Sequence, residues 1–194
     1  LFRSILILGE QGHGDTIQFS RFINNLFSLG AKVKLQANEN VAPLFITPGL
    51  EILTFTQDPG AFDYWVPIMS IPGVLGVTLE NLPKSVNYLT SSMPAQQVWL
   101  QRLGPKTKMR IGFSWSGRRD AWLNTHKGMP FEKMLDLIKR NPQYDWVNLQ
   151  IDATQEESQE LKNAGVILFP GSIQTFADTA ALRSEEHTSE LQSH

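Results

Sequence analysis

Two stretches of the chain hold residues whose types and spacing could do chemistry. The first is residues 5–19, ILILGEQGHGDTIQF, in which Gly9, Gly12 and Gly14 crowd around an acid, Asp15. Glycines at the start of a helix leave backbone N–H groups open to a polar or anionic ligand. A dinucleotide site would need G-x-G-x-x-G, and a frame begun at Gly12 meets Ile17 where the last glycine belongs. A phosphate-cradling loop would end in Gly-Lys-Ser/Thr, whereas Gly14, Asp15 and Thr16 put an acid in the lysine's place. A purely structural reading makes Asp15 the N-cap of the helix, with Gln18 as its capping-box partner.

The second stretch is residues 106–127, where six basic residues (Lys106, Lys108, Arg110, Arg118, Arg119 and Lys127) stand against Asp120 alone. Ser114, Trp115, Ser116 and Gly117 offer hydroxyls and close backbone approach, and Arg118, Arg119 and Lys127 could neutralise a diphosphate. The same composition also suits a solvated loop. His126 reads as a surface histidine.

Both stretches need a frame to position them. Residues 5–8 read as a buried strand, and the recurrence of Phe19, Phe22, Ile23, Leu26 and Phe27 predicts a helix that Gly30 ends. Strand, glycine loop and helix form the entry unit of an open α/β sheet, where ligands sit beyond the carboxyl ends of the strands. Residues 31–36 and 50–55 predict further strands, with a short helix over 40–45 between them. Residues 62–69 predict a fourth strand, closed by a turn at Ser70, Ile71, Pro72 and Gly73. Tyr64 and Trp65 on that strand could stack on a sugar, but aromatic residues in a strand are expected in the core.

A helix over 94–103, capped by Ser91 or Ser92, stops at Gly104 and Pro105, which marks a domain boundary. A fresh strand follows over 109–113. Pro130 opens a helix with the stripe Phe131, Met134, Leu135 and Ile138. A strand over 144–150, a helix capped by Thr154 that runs through Asn163 to Gly165, and a strand over 166–169 complete a second α/β half. Glu156, Glu157 and Glu160 on that helix read as solvent-facing.

With 194 residues, 41% of them hydrophobic, the chain holds enough apolar material for one large or two small domains. A net charge of −2 gives no reason to expect nucleic acid or an anionic membrane as a partner. The chain has no cysteine, so disulfides and thiolate metal sites are excluded, which fits a cytoplasmic protein. No His/Asp cluster has metal-ligand spacing, and Asp15 lacks the second acid of a D-x-D site. No apolar run approaches the roughly 18 residues that a transmembrane helix requires.

GEQGHGDTIQF followed by a helix resembles the first loop of the family 9 glycosyltransferases, the heptosyltransferase-like enzymes. It is most similar to the bacterial members in which this catalytic region follows tetratricopeptide repeats. The resemblance continues through FDYWVPIMSIPGVLGVTLENLP, MRIGFSWSGRRD, HKGMPFEKML and FADTAAL, and covers residues 4–182. It implies two Rossmann-like domains of the GT-B type. Residues 1–105 would be a nearly complete acceptor-side domain, and residues 106–182 a truncated nucleotide-sugar domain. Residues 183–194, RSEEHTSELQSH, look like the translation of a sequencing adapter and are set apart from the fold.

The resemblance further implies metal-independent, inverting transfer of a hexosyl or heptosyl group from a nucleotide diphosphate sugar, with no other cofactor, to a glycan or protein hydroxyl. It places Asp15 at the catalytic aspartate, with Gly12, Gly14 and Gln18 around it on the acceptor side. Ser114, Trp115, Gly117, Arg118 and Lys127 fall on the donor side, and Glu156 where some relatives contact the donor sugar. Upstream tetratricopeptide repeats are expected, and the fragment by itself is expected to be inactive. The alternatives are a non-catalytic glycosyltransferase-like scaffold attached to such repeats and, third, a nucleotide-dependent oxidoreductase.

Overall fold

A computed structural model describes residues 3–83, 88–117 and 128–191, with side chains through Ser184. The chain divides into two compact units, residues 1–92 with 175–180, and residues 93–174 with 181–194. Both are α/β with parallel strands.

In the first unit β1 (Ser4–Leu8), β2 (Lys32–Ala37), β3 (Leu50–Thr54) and β4 (Tyr64–Pro67) form one parallel sheet in the order β3-β2-β1-β4. The register sets Ile5 beside Val33 and Tyr64, and Ile7 beside Leu35 and Val66. Ile7, Leu35, Val41 and Ile68 are fully buried, and Phe22, Ile23 and Leu26 close over them from the helical layer. The single helix expected after the glycine loop is broken into α1 (His13–Phe19), a 3-10 turn (Ser20–Phe22) and α2 (Ile23–Ser28). Ser20 is the local cause: its hydroxyl donates to the Ile17 carbonyl at 2.8 Å and competes with the helical ladder. Gly30, at φ +79°, ends the helix as expected, its N–H on Phe27 and the Ala31 N–H on Leu26.

The helix expected over 40–45 is only a 3-10 turn, Ala42–Leu44, with Pro43 at its start. The fourth strand is shorter than its apolar run, because the chain leaves the sheet at Pro67 into a 3-10 turn and α3 (Ile71–Val74). The turn expected at Ser70 to Gly73 is therefore helical, with Pro72 in the first turn where its missing N–H is harmless. Tyr64 and Trp65 are not core: they are 56% and 60% exposed. Their strand lies at the edge of the sheet, so burial by a further strand is absent among the described residues, and Arg3 stacks over the Tyr64 ring at 5.7 Å.

The start of β4 is stitched to β1 by Asp63, whose Oδ2 accepts from both the Ser4 N–H and the Ser4 hydroxyl at 2.8 Å. These two bonds, with Arg3 at 3.8 Å, hold the Asp63 carboxyl below the usual carboxylate range. A carboxyl lowered on folding stabilises above its unfolded value of about 3.9, and that contribution is lost as pH falls through the folded value. Wild type is accordingly expected to exceed Asp63→Asn in urea midpoint at neutral pH, and the gap to close as pH falls below the unfolded value of about 3.9. A gap that persists in acid would show that the ionised form contributes nothing.

In the second unit β5 (Arg110–Phe113) and β6 (Asp145–Asn148) pair in parallel, with α4 (Met93–Leu103), α5 (Phe131–Arg140), α6 (Gln155–Asn163) and, from Ala181 on, α7 (Phe176–Leu191). Phe113, Trp115 and Trp146 pack with Met134, Leu135 and Ile138 of α5 and Leu161 of α6. Val147, which alternates with Trp146, packs with Trp99 and Leu103 of α4 and with Ala181 and Leu182 of α7. Those contacts group α4 with the second unit, rather than with the first as the Gly104–Pro105 boundary would have it.

The strand expected over 166–169 reduces to a single bridge between Val147 and Ile167. Pro170 follows, and the Phe169 ring turns edge-on to Trp99 at 5.1 Å. Thr154 caps α6 as expected, and Glu157, read as solvent-facing, completes a capping box with it. The α7 backbone remains helical through Leu191, past the point where the sequence was set apart, as an extension of a helix begun at the Thr175 and Asp178 cap.

Candidate functional site

The first site candidate lies at the carboxyl end of β1. Chain order reverses there: β1 leads to β2 on one side, while β4 has crossed to the other, the kind of switch point at which open α/β sheets bind ligands. The loop after β1 is held down by Gly9, whose N–H donates to the Gln36 carbonyl at 2.7 Å. A Cβ at Gly9 would stand 3.0 Å from that carbonyl oxygen, a tight approach that favours glycine. Gln11 then adopts φ +59°, a strained conformation for a side-chain-bearing residue.

Asp15 is not the N-cap. The helix starts two positions earlier, at His13, with Gly12 as cap, which puts Asp15 at the third helical position. From there its Oδ2 accepts the Gly12 N–H at 3.0 Å, half of a capping box for which glycine has no side chain to return. Among the described residues Oδ1 of Asp15 has no hydrogen-bond partner. Gln18 is exposed on the next turn and takes no part in the cap. Gly14 faces open space, with nothing within 4 Å of where a Cβ would stand. Asp15, Gly12 and Gly14 thus lie together on the loop and first helical turn beyond the carboxyl end of β1, and the His13 ring meets Phe176 edge-on at 5.4 Å.

The second candidate follows β5. Ser114 and Gly117 are exposed, whereas the Trp115 indole is turned into the core, 5% exposed and 5.3 Å from the Phe131 ring, which leaves it only its backbone to offer. Gly128 returns against this loop so closely that a Cβ would lie 3.0 Å from the Trp115 carbonyl oxygen. Arg118 and Lys127, with Arg119 and His126, lie outside the described residues.

Beside this loop, between the end of β6, the first turns of α6 and residues 168–173, lies a cavity of about 430 Å³. Asn148, Gln150, Ser158 and Lys162 supply its polar wall, Leu168 and Phe169 its apolar one. None of these residues carries a recognisable motif. The one signal in the sequence is the polar pair Asn148 and Gln150, alternating with Leu149 where a buried strand ends. Glu156 is exposed on α6, its carboxyl lowered by its own N–H in the first helical turn and by the Thr154 hydroxyl. Among the described residues no group of three or more His, Asp or Glu could hold a metal, and no helix is long and apolar enough to cross a membrane.

The two units, each with parallel strands and helices, define an α/β protein. No protein-family model matches the chain, and no curated protein does. Two solved structures share its fold. One is a family 9 glycosyl transferase from Veillonella parvula, at 13% identity and a TM-score of 0.64 over 95% of this chain and 74% of that one. The other is the E. coli ADP-heptose LPS heptosyltransferase II, at 14% identity and 0.66 over 94% of this chain and 76% of that one. At such identities the likeness is one of fold.

Proposed function

We propose that this chain is the core of a GT-B glycosyltransferase, which moves a hexosyl or heptosyl group from a nucleotide diphosphate sugar to a glycan or protein hydroxyl. The observation that carries this reading is the fold likeness to two glycosyltransferases, which runs over nearly the whole chain. In this reading the first unit serves the acceptor and the second the donor. The Asp15 carboxylate accepts the acceptor proton as the hydroxyl oxygen attacks the anomeric carbon from the face opposite the leaving group, and the bond to the diphosphate breaks with inversion. Charge on the departing diphosphate is taken by Arg118, Arg119 and Lys127 and by backbone N–H groups, without a metal. The cavity beside α6 is large enough for a nucleoside, with Ser158 and Lys162 to meet its polar groups and Phe169 to lie against it. In this reading the protein works in the cytoplasm, with tetratricopeptide repeats upstream in the full-length protein.

Hydrogen exchange with and without UDP-, GDP- and ADP-sugars tests this reading. Protection of residues 114–117 and of the cavity wall by one of these donors is expected; no protection by any of them would sink it. A second reading, a non-catalytic scaffold, is favoured by one observation: Asp15 is already engaged on the Gly12 N–H, a role sufficient to explain an acid there.

A further inference from the structure

Gln150 lies just past the end of β6 and is 8% exposed, and both ends of its amide are engaged. Its Oε1 accepts two consecutive backbone N–H groups of the loop after β5, from Trp115 at 3.2 Å and Ser116 at 3.1 Å. Its Nε2 donates to Asp152 Oδ1. Asn148 clasps the Gln150 backbone from both sides: its Oδ1 accepts the Gln150 N–H at 3.0 Å, and its Nδ2 donates to the Gln150 carbonyl at 3.1 Å. On the far side of the loop the Trp115 carbonyl accepts the Met129 N–H at 2.8 Å. The sheet ladder itself ends one step earlier, with the Leu149 N–H on Phe113. Beyond it, the Gln150 amide ties the backbone of the β5 loop to the chain after β6.

We infer that Gln150 is a positioning residue for the donor loop: it fixes the backbone at Trp115 and Ser116 and so presents Ser114 and Gly117 to the nucleotide. This inference rests on the donor-site reading of that loop. The physical ground is that two N–H groups aimed at one acceptor define the turn of the chain, and a buried amide so placed cannot leave without stranding both. The cavity wall and the loop are then one unit, since Gln150 belongs to both.

A polarity swap provides the test. In Gln150→Glu an oxygen replaces Nε2 and faces the Asp152 carboxylate, while in the double variant with Asp152→Asn the asparagine amide can donate back and restore the pattern. Exchange of the Trp115 and Ser116 amides is expected to rise roughly tenfold in the single variant, and affinity for ADP, GDP or UDP by calorimetry to fall by about the same factor. Both should return in the double variant, which a loss of packing alone would not allow. Unchanged exchange in the single variant, or faster exchange with unchanged affinity, overturns the inference. Exchange that responds and recovers while no nucleoside diphosphate binds even wild type overturns the donor-site reading instead, and leaves the loop-positioning role standing.

Discussion

Replacing Asp15 by asparagine in the complete protein is expected to lower sugar transfer by roughly 10²–10⁴-fold, the usual worth of a positioned general base, and to leave thermal stability unchanged. Asparagine keeps an oxygen where Asp15 Oδ2 accepts the Gly12 N–H, so the cap that starts α1 survives. What it loses is the ability to take a proton. The comparison with Asp15→Ala separates the two roles, because alanine also forfeits the cap, a loss of about 1 kcal/mol. Steady-state transfer and thermal unfolding of both variants supply the check. Near-wild-type turnover in Asp15→Asn would reduce Asp15 to helix capping and favour the scaffold.

The largest stability effect is expected at Ile7. It is fully buried in the central strand of the first unit, between Leu35 and Val66 across the sheet and beneath Phe22, Ile23 and Leu26. Truncation to alanine removes the contacts and leaves a cavity that a strand paired on both sides cannot collapse to fill, at about 2–5 kcal/mol. Urea unfolding would show this as a lower midpoint at unchanged slope. Leu79→Ala is the control, since Leu79 is 94% exposed and its truncation should stay within about 0.5 kcal/mol. Equal effects at the two positions would mean that the first unit does not bury β1.

The two predictions differ in how far ahead they could be read. Ile7 declares itself in SILIL, because a run this short, rich in β-branched residues and ended by a glycine loop, favours a buried strand. Asp15 was legible as a helix-start acid, but its place in the helix was not. The first turn begins at His13 because Gly9 is tied to Gln36 of β2 and Gln11 is forced to a left-handed conformation, and β2 lies beyond the helix in sequence. A glycine at the cap then leaves Asp15 to reach backward, the reverse of the role that local spacing suggests.

What the sequence by itself determined are the features whose physics acts within a few residues. The strands β1, β2 and β3, the apolar stripe of α5, the Thr154 and Glu157 box on α6, and the stops at Gly30 and Gly165 all depend on near-neighbour hydrogen bonds, side-chain period and the freedom of glycine at positive φ. Tertiary structure alone decided whatever turns on which distant segment arrives. Tyr64 and Trp65 lie open because β4 stands at a sheet edge, and α4 joins the second unit because Trp99 finds Val147 and Leu182. Trp115 turns inward because Phe131 is there to receive it, and Gln150 gains its role only when β5 comes alongside β6. Burial and long-range hydrogen bonds are properties of pairs far apart in the chain, and no local pattern encodes the partner.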